Sequence, residues 1–207
     1  MRGRLTRGFF LRPALIVAKD LLGKVLVRSR GGDIKAGKIV ETEAYVGVRD
    51  RASHAYGGKV TPRNMSEYLH GGHVYIYLCY GMYWQLNVTV MEEGVPECVL
   101  IRALEPVAPS PAAGVAGNAV QRGKAAGPGR LCRWLRLGRS FDREDLVESK
   151  RLWIEDWGER IRGSRIIAAR RIGIDYAGAW ADKPFRFLVA GSPFVSRPPG
   201  ISRRPGS

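Results

Sequence analysis

Cysteine is scarce in this sequence: Cys79, Cys98 and Cys132 are the only three among 207 residues. Widely spaced and odd in number, they exclude a disulfide framework and fit a reducing compartment. None belongs to a CxxC pair, so no structural zinc site is expected. Histidine is equally sparse. His70 and His73 form an HxxH, but Gly71 and Gly72 lie between them and no acid or cysteine stands at ligand spacing, so neither a metal nor another cofactor is expected. Long apolar runs are missing too, which excludes a membrane-spanning helix. The opening "MRGRLTRGFFLRPALIVAKDLLG" is basic and then apolar, as a signal peptide would be. Arg12, Lys19 and Asp20 interrupt it and no small-residue cleavage pattern follows, so it reads as part of the fold of a protein that is not secreted. The scarcity with the strongest consequence is of acid. There are 19 Asp and Glu against 34 Lys and Arg, a formal net charge of +15. A folded domain this basic favours a polyanionic partner, nucleic acid foremost.

What is present is enough for one domain with a real core, since 45% of the residues are hydrophobic. Arg12-Pro13 followed by Leu15, Ile16 and Leu22 and closed by Gly23 reads as a capped amphipathic helix. "KVLVRSR", "GGD" and "IKAGKIVETEAYVG" read as strand, turn and strand. A long connection to about Gly72 carries a short helix near Asn64 to Leu69. The spacing then predicts strands at Val74 to Cys79 and Tyr83 to Val90, joined at Tyr80-Gly81-Met82, and a third at "ECVLIRALEP". Pro106 to Gly123 reads as a surface loop. "GPGRLCRWLRLG" reads as a helix, and "RLWIEDW", "RIIAARRIGI" and "KPFRFLVAG" close the domain. Strands and helices do not alternate strictly, which predicts an α+β domain with mostly antiparallel pairing. The domain is placed at residues 10–196, with an N-terminal arm at 1–9 and a disordered tail at 197–207.

The stretch "IVETEAYVG" sets two glutamates inside an apolar run. Alternation puts Ile39, Glu41, Glu43 and Tyr45 on one face and Val40, Thr42, Ala44 and Val46 on the core face. The acids are therefore expected in a cleft or on a wet surface. The hairpin "YIYLCYGMYW" packs Tyr75, Tyr77, Tyr80, Tyr83 and Trp84 into ten residues, most of them core or cross-strand pairs. Tyr80, beside Gly81 where the chain reverses, is expected to stand out at the tip. On a basic protein, an exposed aromatic there suits insertion into a base stack. A basic surface, a wedge, and aromatics beside a carboxylate are the parts needed to extrude a base and cut its bond to the sugar. The carboxylate would activate water and favour an oxocarbenium-like transition state.

"GKIVETEAYVG", "SHAYGGKVTPRN", "HVYIYLCYGMYWQLNV", "CVLIRALEP", "LCRWLRLGRSFDREDL" and "GAWADKPFRFLVAGSPFVS" together resemble the alkyladenine (3-methyladenine) DNA glycosylase family, in order from about Phe10 to Ser196. The resemblance implies a monofunctional, metal-free hydrolase that excises alkylated or deaminated purines (the 3-methyladenine, 7-methylguanine and hypoxanthine class) from duplex DNA to start base excision repair. It implies a curved sheet flanked by helices and a hairpin that enters the minor groove. By resemblance, Glu43 is the general base and Arg102 helps position its water. Tyr45 and Tyr77 stack on the flipped base, His54 contacts the base and sugar, and Asn87 crowds the 2-amino group of guanine. Tyr80 is the wedge and Met82 flanks it. Arg63, Lys124, Arg130 and Lys183 are phosphate-contact candidates by charge and loop position. The segment between Pro106 and Gly127 is shorter than in the family and the N-terminal extension of some relatives is absent, which leaves the phosphate contacts there open. The expected partner is double-stranded DNA bearing damaged purines. The protein is expected to be a monomer with no membrane contact, cytoplasmic and nucleoid-associated in a bacterium or nuclear in a eukaryote. A lesion-specific DNA-binding protein without turnover, and an RNA-binding or nucleotide-transfer protein on a related fold, are the competing readings.

Overall fold

The computed structural model describes residues 3–108 and 123–196. The tail from residue 197 and most of the segment between Pro106 and Gly123 lie outside the described residues. Among the described residues, nine strands form one sheet: β1 (Gly3–Arg4), β2 (Val25–Arg30), β3 (Asp33–Val46), β4 (Val74–Cys79), β5 (Tyr83–Val90), β6 (Glu97–Val107), β7 (Leu152–Asp156), β8 (Ile166–Ala169) and β9 (Arg186–Val189). The order is β1-β7-β2-β3-β6-β5-β4, with β9 also on β3 and β8 on β9. Every pairing between these strands is antiparallel. Three short α-helices accompany them among the described residues: α1 (Arg7–Phe10), α2 (Ala14–Asp20) and α3 (Pro128–Leu135). The α+β, mostly antiparallel domain expected from the sequence is the one observed.

The 14-residue β3 is the spine. Along one edge it pairs first with β2 and then, at Glu41 to Glu43, with β9; along the other it pairs with β6. Opposite β6 the ladder is irregular. Ile39 faces Leu104, Glu41 faces Ala103 and Thr42 faces Ile101, so Val40 and Arg102 each fall outside the one-to-one register before it resumes unchanged. Bulges of this kind re-aim a side chain without shifting the rest of the strand.

Pro13 caps α2 as its fixed φ favours. The buried face is Ala14, Val17 and Ala18; of the larger residues expected, Leu22 is buried just past the helix, Leu15 packs partly buried on the core, and Ile16 is 47% exposed. The small side chains let the helix backbone come close to β3, where the Thr42 hydroxyl donates to the Ala18 carbonyl at 2.8 Å. Arg7, in the region read as an arm, donates to the Gly71 carbonyl at 2.6 Å and pairs with Asp145, while β1 extends the sheet on β7. The core joins Phe10, Leu21, Leu26, Ile39, Leu86, Ile101, Leu104, Leu131 and Leu135, all fully buried.

Between β3 and β4 the chain makes three short 3₁₀ turns, at Gly47–Arg49, Tyr56–Gly58 and Met65–Tyr68. Its inner end is held by a doubly bonded ion pair of Asp50 with Arg171, 2.5 and 2.8 Å, in which neither side chain reaches solvent. At the far end of the sheet, β4 and β5 run as a hairpin to Tyr80, and α3 docks beside it. A Cβ on Gly129 would lie 2.9 Å from that of Tyr83, so glycine permits this close approach.

Candidate active site

One cleft of about 580 Å³ opens between the hairpin, the turns after β3 and the loop before Tyr176. That volume suits a single base-sized ligand. Its walls include Tyr45, His54, Arg63, Tyr77, Tyr80, Asn87 and Arg102, so the fold gathers seven of the sequence-selected residues around one space. Glu43 does not line the cleft. It lies behind the wall, fully buried, and touches two residues that do: Tyr45 Oη donates to Glu43 Oε2 at 2.9 Å, and Arg102 Nη1 lies 3.2 Å from Glu43 Oε1. The Ile172 amide donates to the same Oε1 at 2.9 Å. The wet-surface alternative for the acids is thereby corrected, since both glutamates are 0% exposed.

Glu41 explains how Arg102 is held. Its carboxylate accepts from Arg102 Nε at 2.9 Å, Arg186 Nη1 at 3.1 Å, the Ser196 amide at 2.6 Å and the Ser196 hydroxyl at 2.9 Å. Two carboxylates and two guanidiniums thus share one buried cluster, with Arg102 bridging the acids. Burial opposes the Arg102 charge, but Glu43 and Glu41 outweigh it and hold its pKa above the ordinary arginine value. Tyr45 is pushed well above the ordinary tyrosine value by burial and then by Glu43. It keeps its proton and stays a donor to that acid. Arg171 lies over the Tyr45 ring, 4.7 Å from its centroid, and fixes the plane of the ring.

The other wall is aromatic. Tyr77 bonds Gln85 Oε1 at 3.0 Å and meets the His54 ring edge-on, centroids 4.6 Å apart. His54 Nδ1 is 2.5 Å from Tyr75 Oη. Burial, helped by Arg63, lowers the His54 pKa to about 4, so its imidazole is neutral at pH 7. Asn87 is buried with its amide fixed: Nδ2 donates to the Tyr75 carbonyl at 3.1 Å, and the Cys98 thiol lies 3.9 Å from Oδ1. Arg63 reaches the Leu78 carbonyl at 3.2 Å and sits 5.2 Å from the Tyr77 centroid, so the loop and hairpin are joined at the cleft mouth.

At the tip, Tyr80 is 82% and Met82 66% exposed, and Tyr80 takes φ = 50°, rare for a side chain of this size. Lys124 and Arg130 are exposed near the start of α3, outside the cleft lining. Lys183 also lies outside it, held over the rings of Trp180 at 4.7 Å and Phe185 at 5.8 Å. His70 and His73 are elsewhere: His70 bonds Glu92 at 3.1 Å, and His73 Nδ1 bonds the His70 carbonyl at 2.7 Å. Sequence reasoning missed Tyr75, Glu67, Cys98, Gln85 and Tyr176 as cleft residues. Alternation gave a signal for Tyr75, which shares a face with Tyr77. The others needed the path of the loops.

The model of the family described as Methylpurine-DNA glycosylase matches residues 8–193. A mouse protein named DNA-3-methyladenine glycosylase is 42% identical over 94% of this chain, which spans 61% of that protein's length. The human protein of the same name is 40% identical over 94% of the chain, which covers 70% of it. A putative 3-methyladenine DNA glycosylase of Desulfitobacterium hafniense (strain Y51) is 43% identical over 93% of the chain and is covered to 98%.

Two outcomes are expected from this geometry. Glu41→Ala leaves two buried guanidiniums short of a partner and should lower unfolding stability by ~3–5 kcal/mol; urea titration with a loss under ~1 kcal/mol would contradict the cluster's role. Because the folded His54 pKa lies below its unfolded value of about 6.5, the unfolded chain binds the extra proton first. This contribution to stability is present above pH 6.5 and is lost as the pH falls towards 4. In thermal melts at pH 7 and pH 4.5, His54→Gln should narrow the gap between the two conditions; an unchanged gap would refute it.

Proposed function

The chain belongs to the methylpurine-DNA glycosylase family, and from that premise we propose that it is a monofunctional DNA glycosylase. It extrudes alkylated or deaminated purines from duplex DNA and hydrolyses the N-glycosyl bond with water activated by Glu43. The observation that carries this reading is the buried Glu43, held by Tyr45, Arg102 and the Ile172 amide against an aromatic cleft.

The basic surface holds the DNA through phosphates, and Arg63, Lys124, Arg130 and Lys183 are the contacts proposed. Tyr80 enters through the minor groove with Met82 beside it and fills the space vacated by the damaged nucleotide. Tyr45 and Tyr77 stack on the base. His54, neutral at pH 7, offers one ring nitrogen to the base and sugar region while Tyr75 engages the other. Asn87, its amide already fixed by the Tyr75 carbonyl, crowds the 2-amino group of guanine. As C1′ gains positive charge, the attacking water transfers a proton to Glu43, and Arg102 steadies that acid and the water. An abasic site and the free base result. A base alkylated at a ring nitrogen is already cationic and leaves readily. No cofactor takes part.

The deciding test uses an end-labelled duplex bearing one damaged purine, incubated with excess protein and then treated with hot alkali. Cleavage is expected for the wild type, and Glu43→Gln should lose ~10²–10⁴ in rate while still binding the duplex. Excision by Glu43→Gln within about tenfold of wild type would remove Glu43 from the general-base role. The wedge is tested separately. Tyr80 makes little contact with the fold, so Tyr80→Ser should melt as the wild type does. It should also bind a duplex with an abasic-site analogue about five- to a hundredfold more weakly, the worth of one lost stack. Unchanged affinity would sink the wedge assignment.

A further inference from the structure

One carboxyl that does line the cleft takes no part in the mechanism above. Glu67, on the Met65–Tyr68 turn, is 1% exposed and lines the cleft. Its Oε1 accepts weakly from the Ser53 hydroxyl at 3.2 Å and the Cys98 thiol at 3.4 Å. Its Oε2 is buried and has no hydrogen-bond partner among the described residues.

The charges around it make the position expensive for an anion. Asp50, of like sign, acts on it from the preceding loop, and the Arg171 guanidinium that might help is already doubly bonded to Asp50. From β4 it faces Tyr75 and from β6 Cys98, both of whose protons it helps to retain. Tyr68 is influenced from its own turn, β5 offers the neutral Asn87, and His54 in the same loop is neutral. No salt bridge to Glu67 is formed among the described residues. Burial is the first cause and lifts its pKa to about 7, so a large fraction carries its proton at neutral pH. A buried, protonated carboxyl with a free oxygen is a hydrogen-bond donor without an acceptor.

The missing acceptor is located by Cys98, whose thiol touches both Glu67 and the Asn87 amide. Glu67 therefore borders the part of the cleft where Asn87 would meet a base edge. Resting on the glycosylase reading, we propose that Glu67 is a catalytic residue for neutral purines: its Oε2 donates a hydrogen bond to a ring nitrogen of the flipped base and gives up its proton there as the base departs. The C1′–N9 pair of electrons goes to the purine, and the Glu67 proton leaves with it on the ring nitrogen. Water supplies the oxygen at C1′ and its proton passes to Glu43. Solvent then reprotonates Glu67 and deprotonates Glu43, and the sum is plain hydrolysis. A cationic 7-methylated guanine needs no such proton, so Glu67 widens the substrate range towards hypoxanthine rather than enabling all excision.

The test is single-turnover excision with excess protein on two duplexes, one with hypoxanthine and one with 7-methylguanine, from pH 5.5 to 8.5. The wild type should excise both. Its hypoxanthine rate should fall about tenfold per pH unit above pH 7, after the acid that supplies the proton. Glu67→Gln should lose about a hundredfold or more on hypoxanthine together with that alkaline limb, and stay within about threefold on 7-methylguanine. The 7-methylguanine arm also reports that the variant is folded. Glu67→Leu, which removes the hydrogen bond as well as the proton, should fall at least as far on hypoxanthine. Three results would overturn the proposal with the glycosylase reading intact: wild-type excision of 7-methylguanine alone, equal loss on both substrates, or a hypoxanthine rate for Glu67→Gln within about threefold of wild type. Wild-type silence on both substrates would instead overturn the glycosylase reading, and the role of Glu67 with it.

Discussion

The bridge that Arg102 makes between Glu41 and Glu43 is the contact on which the cleft depends. Alone, any of these charges would be costly to bury so deeply. Together with Arg186 they form a cluster in which each carboxylate has a cation within 3.2 Å. The irregular stretch of the β3–β6 ladder serves this cluster, because it sets Arg102 out of register beside the two acids. The cluster also has a long reach in sequence. Glu41 binds Arg186 and Ser196, which brings β9 and the chain beyond it onto the spine. The cleft wall is therefore tied to described residues more than 140 positions further along the chain.

The remaining pieces of the cleft are positioned by contacts that face away from it. Arg171 holds Asp50 and at the same time covers the Tyr45 ring. Tyr75 is nearly buried in the wall; its hydroxyl meets His54 and its carbonyl holds the Asn87 amide. Such supporting groups keep a site stiff before any ligand arrives, which is where positioned chemistry gains its advantage. The exposed Tyr80 is the opposite case. Its place is set by its own hairpin, closed by the Met82 amide on the Cys79 carbonyl at 3.0 Å, and with a left-handed backbone the residue stays 82% exposed.

Much of this was legible in the residues. Alternation in "YIYLCYGMYW", with Gly81 at the reversal, fixed both strands and the tip, since those contacts are local. The six stretches resembling the glycosylase family led to the cleft residues. Period-two reasoning could not distinguish an acid facing water from an acid facing partners. The partners of Glu41 lie 61, 145 and 155 residues away. For α2 the expectation favoured large apolar residues, whereas close approach to β3 selected Ala14 and Ala18. Glu67 gave no local signal, because "MSEYLHGG" has neither the period nor the composition of a site. Its meaning comes from what the fold withholds from it, a cation.

Glu43, behind the cleft wall, and Glu67, on it, show how two identical side chains at one site can be given different environments. Glu43 has a guanidinium, a phenol and a backbone amide directed at it. Every one of these donors favours a group that accepts. Glu67 has an anion in its field, two weak donors on one oxygen and, among the described residues, none on the other. That environment favours a group that keeps its proton until an acceptor is brought to it. The distinction does not depend on the distance between them or on the order in which they occur in the chain. It follows from where the arginines go: Arg102 and Arg186 to the β3 acids, Arg171 to Asp50, and, among the described residues, none to Glu67.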